Sequence, residues 1–572
     1  MDQETAGKAA KIYLKNIEAG RQVLLDVTKQ CREPMKVNEA LLMRILDENK
    51  DTEYGKKYHF SEIKSVEDYQ KNVPVSIYDD YIDYILRMTE NGEENLITAS
   101  PIHHYNKSSG TMGTPKRIPL SDEQMEQYNL YMKNLPFGVI DKEIGHEWTG
   151  GKTIRIAEST AEETFLPCKA SYGALSQKLT RQFRPYLPIL YTSPDEATFP
   201  VSGTDTRYLH ARFALAESGA TGMVCAFYSY LLEMLRYIEK NWEMLADDIE
   251  KGTIDASVKI PEEVKATLAE KIKPMPERAE ELREIFAKGF EEPFVPKAWK
   301  NMAYMIGIGT GGFKTYADMI KEKYTGDGIH MVKLGIGSSE GFVSATYRLD
   351  SEDTVLLPNS LFYEFLPLDA GDDFSQIVTI DKVEQGKDYE LILTNVSGLY
   401  RYRTRDAVHI ESFYENTPTV CFLYRIDQTV SIMGEKTTEE ALRTAAFETA
   451  KELGFDLVDF SVYPDLKAEP VRYQYFMEIS DMPHDIPPKL IRHVLEEKLA
   501  GANPSMGEKV RNEVCGATRL NFLEDETYLL YHDMMVRKGA ASSQIKPVHV
   551  ITNTRQRKFF FSQTMYSVEI MK

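Results

Sequence analysis

The most informative stretch of this chain is Ser108-Ser109-Gly110-Thr111-Met112-Gly113-Thr114-Pro115-Lys116. It combines hydroxyl side chains, two glycines and a lysine directly after the run PIHHYNK. Glycine lets main-chain amides turn inward, so amides and hydroxyls can surround a phosphate while Lys116 supplies a positive charge. The alternative is an ordinary Gly/Ser/Thr hairpin, and the loop alone does not distinguish the two interpretations.

The loop is not a Walker loop. That motif needs Gly-x-x-x-x-Gly-Lys-Ser/Thr opening directly into a helix. Here Pro115 stands in place of the second glycine, and the sequence around Pro119 and Ser121 predicts that the helix begins several residues later. The loop is therefore expected to connect two strands.

Length and charge limit the class of protein. A chain of 572 residues exceeds what one hydrophobic core usually supports, so at least two domains are expected. With 42% apolar and 27% charged residues it is expected to fold as a soluble protein. The net charge of -20 opposes binding to nucleic acid or an anionic membrane. Any anionic ligand must therefore be bound by groups in its immediate surroundings. No obligate protein partner is inferred.

Cysteine use and targeting signals favour a cytoplasmic protein. The five cysteines lie far apart, at positions 31, 168, 225, 421 and 515, with neither zinc spacing nor the density of a disulfide framework. Residues 1–20 form a charged amphipathic pattern without the apolar core of a signal peptide. The apolar run Gly222 to Ile238 is interrupted by charged residues and too short to span a membrane, so we expect a core helix there.

The pattern of apolar residues changes along the chain. Residues 1–50 and about 210–290 show helical periodicity, whereas 353–413 contains short apolar runs separated by Gly, Asn and Asp, which is typical of strands. We place a domain boundary near Asp427, giving domains 1–426 and 427–572. In the second, Thr437 and Glu440 have capping-box spacing and Gly454 is a helix stop. DLVDFSVY and RYQYFMEIS follow as predicted strands, and PPKLIRHVLEEKLAG as a predicted helix.

Two later segments support phosphate binding by the loop. In KLGIGSSEG (residues 333–341), the carboxylate of Glu340 could hold Mg2+ while Ser338 and Ser339 approach a nucleotide. The alternative is a helix N-cap with Glu340 in the first turn. In LYRYRTRD (399–406), Asp406 could accept hydrogen bonds from ribose hydroxyls; the alternative is an exposed strand with an Arg/Asp ion pair.

Taken in order, these three segments resemble the signature of the adenylate-forming superfamily of acyl-CoA synthetases, peptide-synthetase adenylation domains and luciferases. More closely, they resemble the Gretchen Hagen family of auxin-responsive acyl acid amido synthetases. Supporting stretches are VPVSIYDDYIDYILRMTENGEENLITASPI, PKAWKNMAYMIGIGTGGFKTY and GAASSQIKP, so the resemblance extends over nearly the whole chain.

The resemblance implies a role for each matching residue. The phosphate loop comprises Ser108, Ser109, Gly110, Thr111 and Lys116. Other implied nucleotide contacts are Thr310, Gly311, Ser338, Ser339, Asp406, Arg425 and Lys436. Glu340 matches the magnesium carboxylate, and Lys546 matches the catalytic lysine of the small domain. Tyr228 and Phe313 are the implied contacts to the acyl group.

Two positions depart from the family pattern. Many relatives have an aromatic residue where Ile336 stands, so plain apolar contact is expected in place of adenine stacking. Arg405 replaces the glycine usual before the aspartate, and it could instead contact a phosphate. Both substitutions affect how the nucleotide is held.

The implied fold is an α/β protein with a large, multi-sheet adenylate-forming domain, including a β-rich subdomain, and a small mobile α+β domain. The implied reaction is an AMP-forming ligation: ATP and Mg2+ activate a carboxylic acid, and an amine, expected to be an amino acid, takes the acyl group. Two alternatives remain. An acyl-CoA ligase shares the first step, and a non-catalytic nucleotide-binding protein could retain the fold, although lysines at 116, 436 and 546 argue against it.

Overall fold

A computed structural model describes residues 3–107, 116–159, 163–310, 314–426, 432, 433, 435, 437–480, 485–538, 540, 542 and 545–569. These residues form two compact units. The larger contains the described residues up to 404 together with 408–422, and the smaller contains 405–407 and the described residues from 423 onward. The predicted boundary near Asp427 lies outside the described residues and stays a prediction.

The larger unit holds most of the helices. They are α1 Gln3–Gln30, α2 Pro34–Asn49, α3 Glu53–Lys57, α4 Val66–Asn72, α5 Ile82–Leu86, α6 Asp122–Tyr128, α7 Leu135–Ile144, α8 Leu175–Phe183, α9 Leu187–Leu190, α10 Asp195–Thr198, α11 Thr206–Ala216, α12 Tyr228–Lys251, α13 Glu262–Ala269, α14 Pro276–Phe286, α15 Val295–Ala298 and α16 Lys314–Met319. The helices predicted within 1–50 and 210–290 are confirmed. Helix α1 buries Ala9, Tyr13 and Ile17, four residues apart and therefore on one face. It crosses α7 so closely that a Cβ on Gly20 would lie 2.3 Å from the Asn134 carbonyl oxygen.

A parallel sheet forms the centre of the larger unit. Its strands are β3 Thr153–Ile156, β6 Gly222–Phe227, β7 Tyr304–Ile308 and β8 His330–Lys333, in the order β3-β6-β7-β8. All three pairings are parallel. The helix predicted for Gly222 to Ile238 is therefore wrong in its first part, which is strand β6, while α12 begins at Tyr228. A short, fully buried strand and a buried helix have the same continuous apolar pattern, so periodicity could not separate them.

A second four-stranded sheet contains the two strands on either side of the loop that follows Lys107. It contains β1 Ile102–Lys107, β2 Arg117–Ser121, β4 Thr164–Phe165 and β5 Ser171–Gly173, in the order β2-β1-β5-β4. Strands β1 and β2 are antiparallel, with Lys107 opposite Arg117. The loop thus connects two strands, as predicted. Ser121 caps α6 by accepting a hydrogen bond from the Gln124 amide, which confirms the predicted helix entry.

The predicted β-rich region is a seven-stranded sheet in the order β11-β12-β17-β16-β15-β13-β14. The strands are β11 Ser344–Ala345, β12 Thr354–Leu356, β13 Phe362–Pro367, β14 Val378–Thr379, β15 Asp388–Thr394, β16 Tyr402–Tyr414 and β17 Thr417–Arg425. Its core is a buried apolar cluster that includes Leu356, Phe365, Leu391 and Val408. A separate hairpin, β9 Gly337–Ser338 with β10 Gly341–Phe342, precedes the sheet.

The smaller unit is an α+β domain. One sheet has the order β18-β19-β20-β21, with β18 Asp456–Asp465, β19 Arg472–Ser480, β20 Arg519–Leu523 and β21 Thr564–Val568. The helices are α17 Glu439–Leu453, α18 Pro488–Ala502, α19 Pro504–Arg511, α20 Thr527–Arg537 and α21 Thr554–Ser562. The predicted strands and helices are confirmed, including the stop at Gly454, whose φ is 73°. The cap lies one residue later than predicted, because Thr438 and not Thr437 accepts from the Ala441 amide.

No helix within the described part of the chain is both long and apolar enough to cross a bilayer.

Candidate functional site

Several predicted site residues lie outside the described residues. They are Ser108, Ser109, Gly110, Thr111, Gly311, Phe313 and Lys436. Their predicted roles stay predictions. The others fall into two groups, one in each compact unit, and each group is described by itself.

Lys116 follows the loop and lies among tyrosines of the larger unit. Its Nζ donates to the Tyr402 hydroxyl at 3.1 Å and lies 5.2 Å from the centre of the Tyr78 ring. The face of an aromatic ring attracts an ammonium group. These contacts hold a positive charge directly beside the end of the loop.

The Ser338–Glu340 segment is the turn of the β9–β10 hairpin. The predicted alternative, a helix N-cap, is therefore wrong. Three side-chain amides donate to its carbonyl oxygens: Asn106 to Ser339 at 3.0 Å, and Gln124 and Asn395 both to Glu340 at 2.7 Å. The Tyr128 hydroxyl donates to the Ser338 carbonyl.

The donors to this turn come from β1, α6 and the loop after β15, which are far apart in the sequence. They fix the main chain of the turn through its carbonyl groups. The side chain of Glu340 takes no part in these bonds. Its carboxylate has no hydrogen-bonding or ion-pairing partner within the described ranges, so its oxygens are available to a ligand.

Thr310 lies two residues after β7 and is buried. The turn that leads to it packs against Tyr228, since a Cβ on Gly309 would lie 2.4 Å from Cδ2 of that ring. The Tyr228 hydroxyl donates to the Met305 carbonyl at 2.9 Å, and burial raises the pKa of Tyr228. This placement favours a role for Tyr228 in shaping the Thr310 turn; its contact with an acyl group stays a prediction.

In the smaller unit the structure brings Asp406 and Arg425 together. Nε of Arg425 lies 2.9 Å from Oδ1 of Asp406 and Nη2 lies 3.4 Å from Oδ2. Asp406 is only 4% exposed. Asp406 thus forms an Arg/Asp ion pair, as in the alternative interpretation, but it is buried and not part of an exposed strand. The ribose role of Asp406 stays a prediction.

Arg405 has a left-handed backbone, with φ of 64°. Glycine adopts this conformation freely, whereas other L-residues are strained by roughly 1–2 kcal/mol. The arginine that stands in place of the family's glycine therefore has the backbone conformation that favours glycine. The residue directly before Asp406 therefore has a strained backbone.

Lys546 belongs to the same electrostatic cluster as this pair. Its pKa is lowered, first because the surrounding protein desolvates the ammonium and then because Arg425 is positively charged. The carboxylates of Glu439 and Asp406 oppose this shift. Lys546 nevertheless keeps substantial exposure to solvent. The structure thus brings three predicted site residues, Asp406, Arg425 and Lys546, into one cluster.

His549, three residues after Lys546, was not identified from the sequence. Its Nδ1 lies 2.7 Å from Oε1 of Glu439 and its Nε2 lies 3.1 Å from Oδ1 of Asp459. The ring stacks on Phe460 with 4.5 Å between centres. Burial alone lowers the pKa of His549, but the two carboxylates outweigh it and raise the pKa to about 9. The imidazolium therefore donates to both acids at neutral pH.

The main chain around His549 is held as well. Its carbonyl oxygen accepts from the Val462 amide at 2.8 Å, and the Ile551 amide donates to the Val462 carbonyl at 2.8 Å. The segment after Lys546 thus runs along β18. Nothing in the spacing of PVHV indicates which distant carboxylates it meets.

Sequence models of one family match the chain in order. The model described as the GH3 family N-terminal domain matches residues 23–330, more than half of the chain. The chain belongs to the GH3 family. The GH3 central-domain model matches 354–425 and the GH3 C-terminal-domain model matches 440–555. The resemblance to the Gretchen Hagen family is confirmed.

Named GH3 relatives are similar over most of their length. The jasmonoyl–L-amino acid synthetase JAR6 of Nicotiana attenuata is 27% identical over 540 residues, which is 91% of each chain. The putative indole-3-acetic acid-amido synthetase GH3.9 of Arabidopsis thaliana is 28% identical over 576 residues, covering 95% of this chain and 96% of the relative.

A solved structure matches the fold. The GH3.15 acyl acid amido synthetase superposes with a TM-score of 0.81 at 24% identity, covering 96% of this chain and 97% of that chain. GH3.15 has also been solved in complex with 2,4-DB. The predicted fold class, a multi-sheet α/β protein, is confirmed.

Proposed function

We propose that this GH3 protein is an ATP-dependent acyl acid amido synthetase. It adenylates a carboxylic acid with release of pyrophosphate and transfers the acyl group to an amino acid with release of AMP. The observation that carries the proposal is that relatives named as amido synthetases match over about nine-tenths of both chains. The three domain models also match in order.

Activation is needed because a carboxylate is a poor electrophile. Its oxygen attacks the α-phosphorus of ATP, and pyrophosphate leaves, so negative charge builds up on both sides of that phosphorus. The positive charge of Lys116 serves the leaving side. Lys546 serves the α-phosphate and the attacking carboxylate. Amides and hydroxyls of Ser108, Ser109, Gly110 and Thr111 surround the phosphates.

The remaining nucleotide contacts orient ATP. Asp406 accepts from the ribose hydroxyls while Arg425 fixes the orientation of its carboxylate. Thr310, Gly311, Ser338, Ser339 and Lys436 complete the nucleotide contacts. The hydrogen bonds to the main-chain carbonyls of the hairpin turn support the assignment of Ser338 and Ser339. A turn fixed in this way positions its side chains before the ligand binds. Phe313 remains the proposed contact to the acyl group.

Mg2+ fits the hairpin turn through Glu340. A carboxylate is a hard oxygen ligand, and Mg2+ is commonly bound by one or two protein carboxylates together with substrate phosphates. In keeping with this, no group of three or more metal-binding side chains occurs within the described ranges. When bound, Mg2+ would neutralise charge on the leaving pyrophosphate. Glu340 is the residue that would hold it.

The cysteines support a cytoplasmic enzyme that forms no acyl-cysteine intermediate. All five are free. Burial raises the pKa of the Cys31 thiol to about 11, which disfavours the nucleophilic thiolate. The amine can therefore attack the acyl-adenylate directly. We place the enzyme in the cytoplasm, where free thiols stay reduced.

The test is a screen of carboxylic acids for acid-dependent exchange of labelled pyrophosphate into ATP. The acid that gives exchange is then offered amino acids and, separately, coenzyme A, with nucleotide products separated by chromatography. We expect AMP and an amide in equal amounts.

Each other outcome has a defined meaning. Stoichiometric ADP would rule out adenylation. Exchange followed by transfer only to coenzyme A would identify an acyl-CoA ligase. ATP binding without exchange for any acid would identify a non-catalytic nucleotide-binding protein.

A further inference from the structure

Arg155 is a buried arginine for which the described part of the chain offers no acidic partner. It lies on β3, is 8% exposed, and its guanidinium carbon lies 5.0 Å and 5.4 Å from the ring centres of Phe183 and Tyr191. Nη2 donates to the Thr180 hydroxyl at 3.1 Å, and Nη1 is buried without a partner. No Asp or Glu of the described residues pairs with it.

The other buried arginines of the described chain differ in this respect. Each donates to a carboxylate or to a main-chain carbonyl: Arg212 to Asp248, Arg278 to Leu215 and Ala298, Arg401 to Glu364, Arg443 to Glu440 and Arg492 to Glu496. Arg155 reaches only a neutral hydroxyl. Since an unpaired buried charge costs several kcal/mol, the guanidinium would bind an anionic ligand favourably.

Further unsatisfied polar atoms surround Arg155. Gln177 lies on the same face of α8 as Thr180, and its Nε2 is buried without a partner. His210 has Nδ1 2.6 Å from the Ser193 hydroxyl, which also lies 3.1 Å from the Arg155 carbonyl oxygen. Its Nε2 is likewise unpaired. Lys133 adds a second cation, with Nζ 5.7 Å from the centre of the Phe183 ring.

His210 stays neutral in this setting. Burial and then the charge of Arg155 lower the pKa of His210 to about 3. The Ser193 hydroxyl donates its one hydrogen to the Arg155 carbonyl, so Nδ1 of His210 carries the ring hydrogen in the ligand-free protein. A bound anion favours the other tautomer, in which the Ser193 hydrogen turns from that carbonyl to Nδ1 and Nε2 becomes a donor. In that tautomer Arg155, Gln177 and His210 each have a buried nitrogen that can donate and that has no partner among the described residues.

We propose that Arg155, Gln177 and His210 form a subsite for a second anionic group, a carboxylate, on the acid that the enzyme activates. The proposal rests on the adenylation function proposed above and extends it to the class of substrate. The acid is a dicarboxylate: one carboxylate is adenylated and the other binds Arg155.

The position of Arg155 in the sheet points to the acid. It lies next to the carboxyl end of β3, opposite Val224 of β6, which in turn lies opposite Ile306 of β7. Ligands of parallel α/β sheets bind beyond the carboxyl ends of the strands, and Thr310 follows β7 at that edge. Strands lie about 4.8 Å apart, so β3 is separated from β7 by about 10 Å. A ring or a chain of several carbons bridges that separation.

The first test measures binding without ATP. Calorimetry and thermal unfolding compare suberate and 4-carboxyphenylacetate with their monomethyl esters, which lack one charge. We expect the wild type to bind at least one diacid about 10-fold or more tightly than its ester. Arg155→Met should remove this difference and Arg155→Lys should keep part of it. Arg184→Met alters an exposed arginine that pairs with Asp195, and it is the matched control.

Stability provides an independent readout. Arg155→Met removes an unpaired buried charge while keeping a similar volume, so the ligand-free Tm should stay unchanged or rise. If the arginine served only to hold Phe183 and Tyr191 together, the same change would lower the Tm.

The second test measures pyrophosphate exchange. In the wild type, kcat/KM for the diacid should exceed that for the ester by about 10-fold or more, and Arg155→Met should abolish the preference. A wild type that binds and uses both equally, or a variant that keeps the preference, overturns the proposal. The proposal is also overturned if Arg155→Met affects only the amine step. That result would assign the subsite to the carboxylate of the amino acid. Absence of exchange with every acid would instead refute the adenylation function, while the binding test would still report on Arg155.

Discussion

Arg425 donates two hydrogen bonds to Asp406, with Nε 2.9 Å from Oδ1 and Nη2 3.4 Å from Oδ2. The two residues lie on the neighbouring strands β16 and β17. The pair orients a buried carboxylate that the family pattern assigns to the ribose. A fixed carboxylate binds a diol with less loss of side-chain entropy than a mobile one.

We therefore expect Asp406→Asn to weaken ATP binding by about 10-fold or more, because charge-assisted acceptors become neutral. The fold should survive, since the Arg425 side chain is 43% exposed and water can solvate it. Calorimetric titration with ATP measures the effect. Asp388→Asn, at an exposed aspartate that pairs with His409, is the control. Unchanged ATP affinity in folded Asp406→Asn would leave only the ion-pair role.

Lys546→Ala should reduce acid-dependent pyrophosphate exchange by about two orders of magnitude or more, because a preorganised charge is lost where negative charge develops. ATP affinity and the reaction of supplied acyl-adenylate with the amine should change little. Lys538→Ala, at the exposed end of α20, serves as control. Normal exchange in the Lys546 variant would show that the match of SSQIKP to the family lysine is misleading.

The pH profile of exchange tests the state of Lys546. Its pKa is lowered, so the ammonium is lost at a lower pH than for an ordinary lysine. Exchange should decline with rising pH below the usual lysine range. Lys546→Arg, which stays charged, should lack that decline. An identical alkaline limb in both proteins would assign it to another group.

His549→Gln should alter stability in a pH-dependent manner. The pKa of His549 is raised from 6.5 to about 9 on folding, so its contribution is complete below pH 6.5 and is lost as the pH rises through 9. At about 1.4 kcal/mol per unit, the contribution amounts to about 3 kcal/mol. Urea unfolding at several pH values should show the variant destabilised at pH 6 and similar to wild type above pH 9. His493→Gln, at an exposed histidine on α18, should follow the wild type throughout.

Substitutions of Arg405 test its strained backbone. Arg405→Gly should change the free energy of unfolding by no more than about 1 kcal/mol, because glycine accepts this conformation. Arg405→Val should destabilise by a further 1–2 kcal/mol or so, because β-branched residues disfavour positive φ. Urea denaturation compares the two. Equal stability of the valine and glycine variants would contradict strain at this residue.

Glu340→Gln should raise the Mg2+ concentration needed for half-maximal exchange by about 10-fold or more. The hairpin should persist, because its main-chain carbonyls and not this carboxylate accept the stabilising bonds. Glu126→Gln, at an exposed position on α6, is the control. An unchanged Mg2+ requirement would exclude Glu340 as the magnesium ligand.

Local structure and family membership could both be predicted from the sequence. Alternating or helical spacing of apolar residues predicted β18, β19 and α18, and Ser121 predicted the start of α6, because a cap and a periodic face are local properties. The order and spacing of the three motifs were sufficient to indicate the GH3 family. The same motifs predicted Lys116, Glu340 and Asp406 as site residues, and the stretch GAASSQIKP predicted Lys546.

The hydrogen-bonding and ion-pairing partners of these residues depend on the tertiary structure. The turn at Ser339 is a hairpin and not a helix start because donors from Asn106, Gln124 and Asn395 meet its carbonyls from distant parts of the chain. His549 binds Glu439 and Asp459 across 110 and 90 residues. The periodicity of apolar residues in a sequence shows which side chains face the interior. It does not show which groups they contact there. No local pattern could therefore reveal that none of the described carboxylates pairs with Arg155.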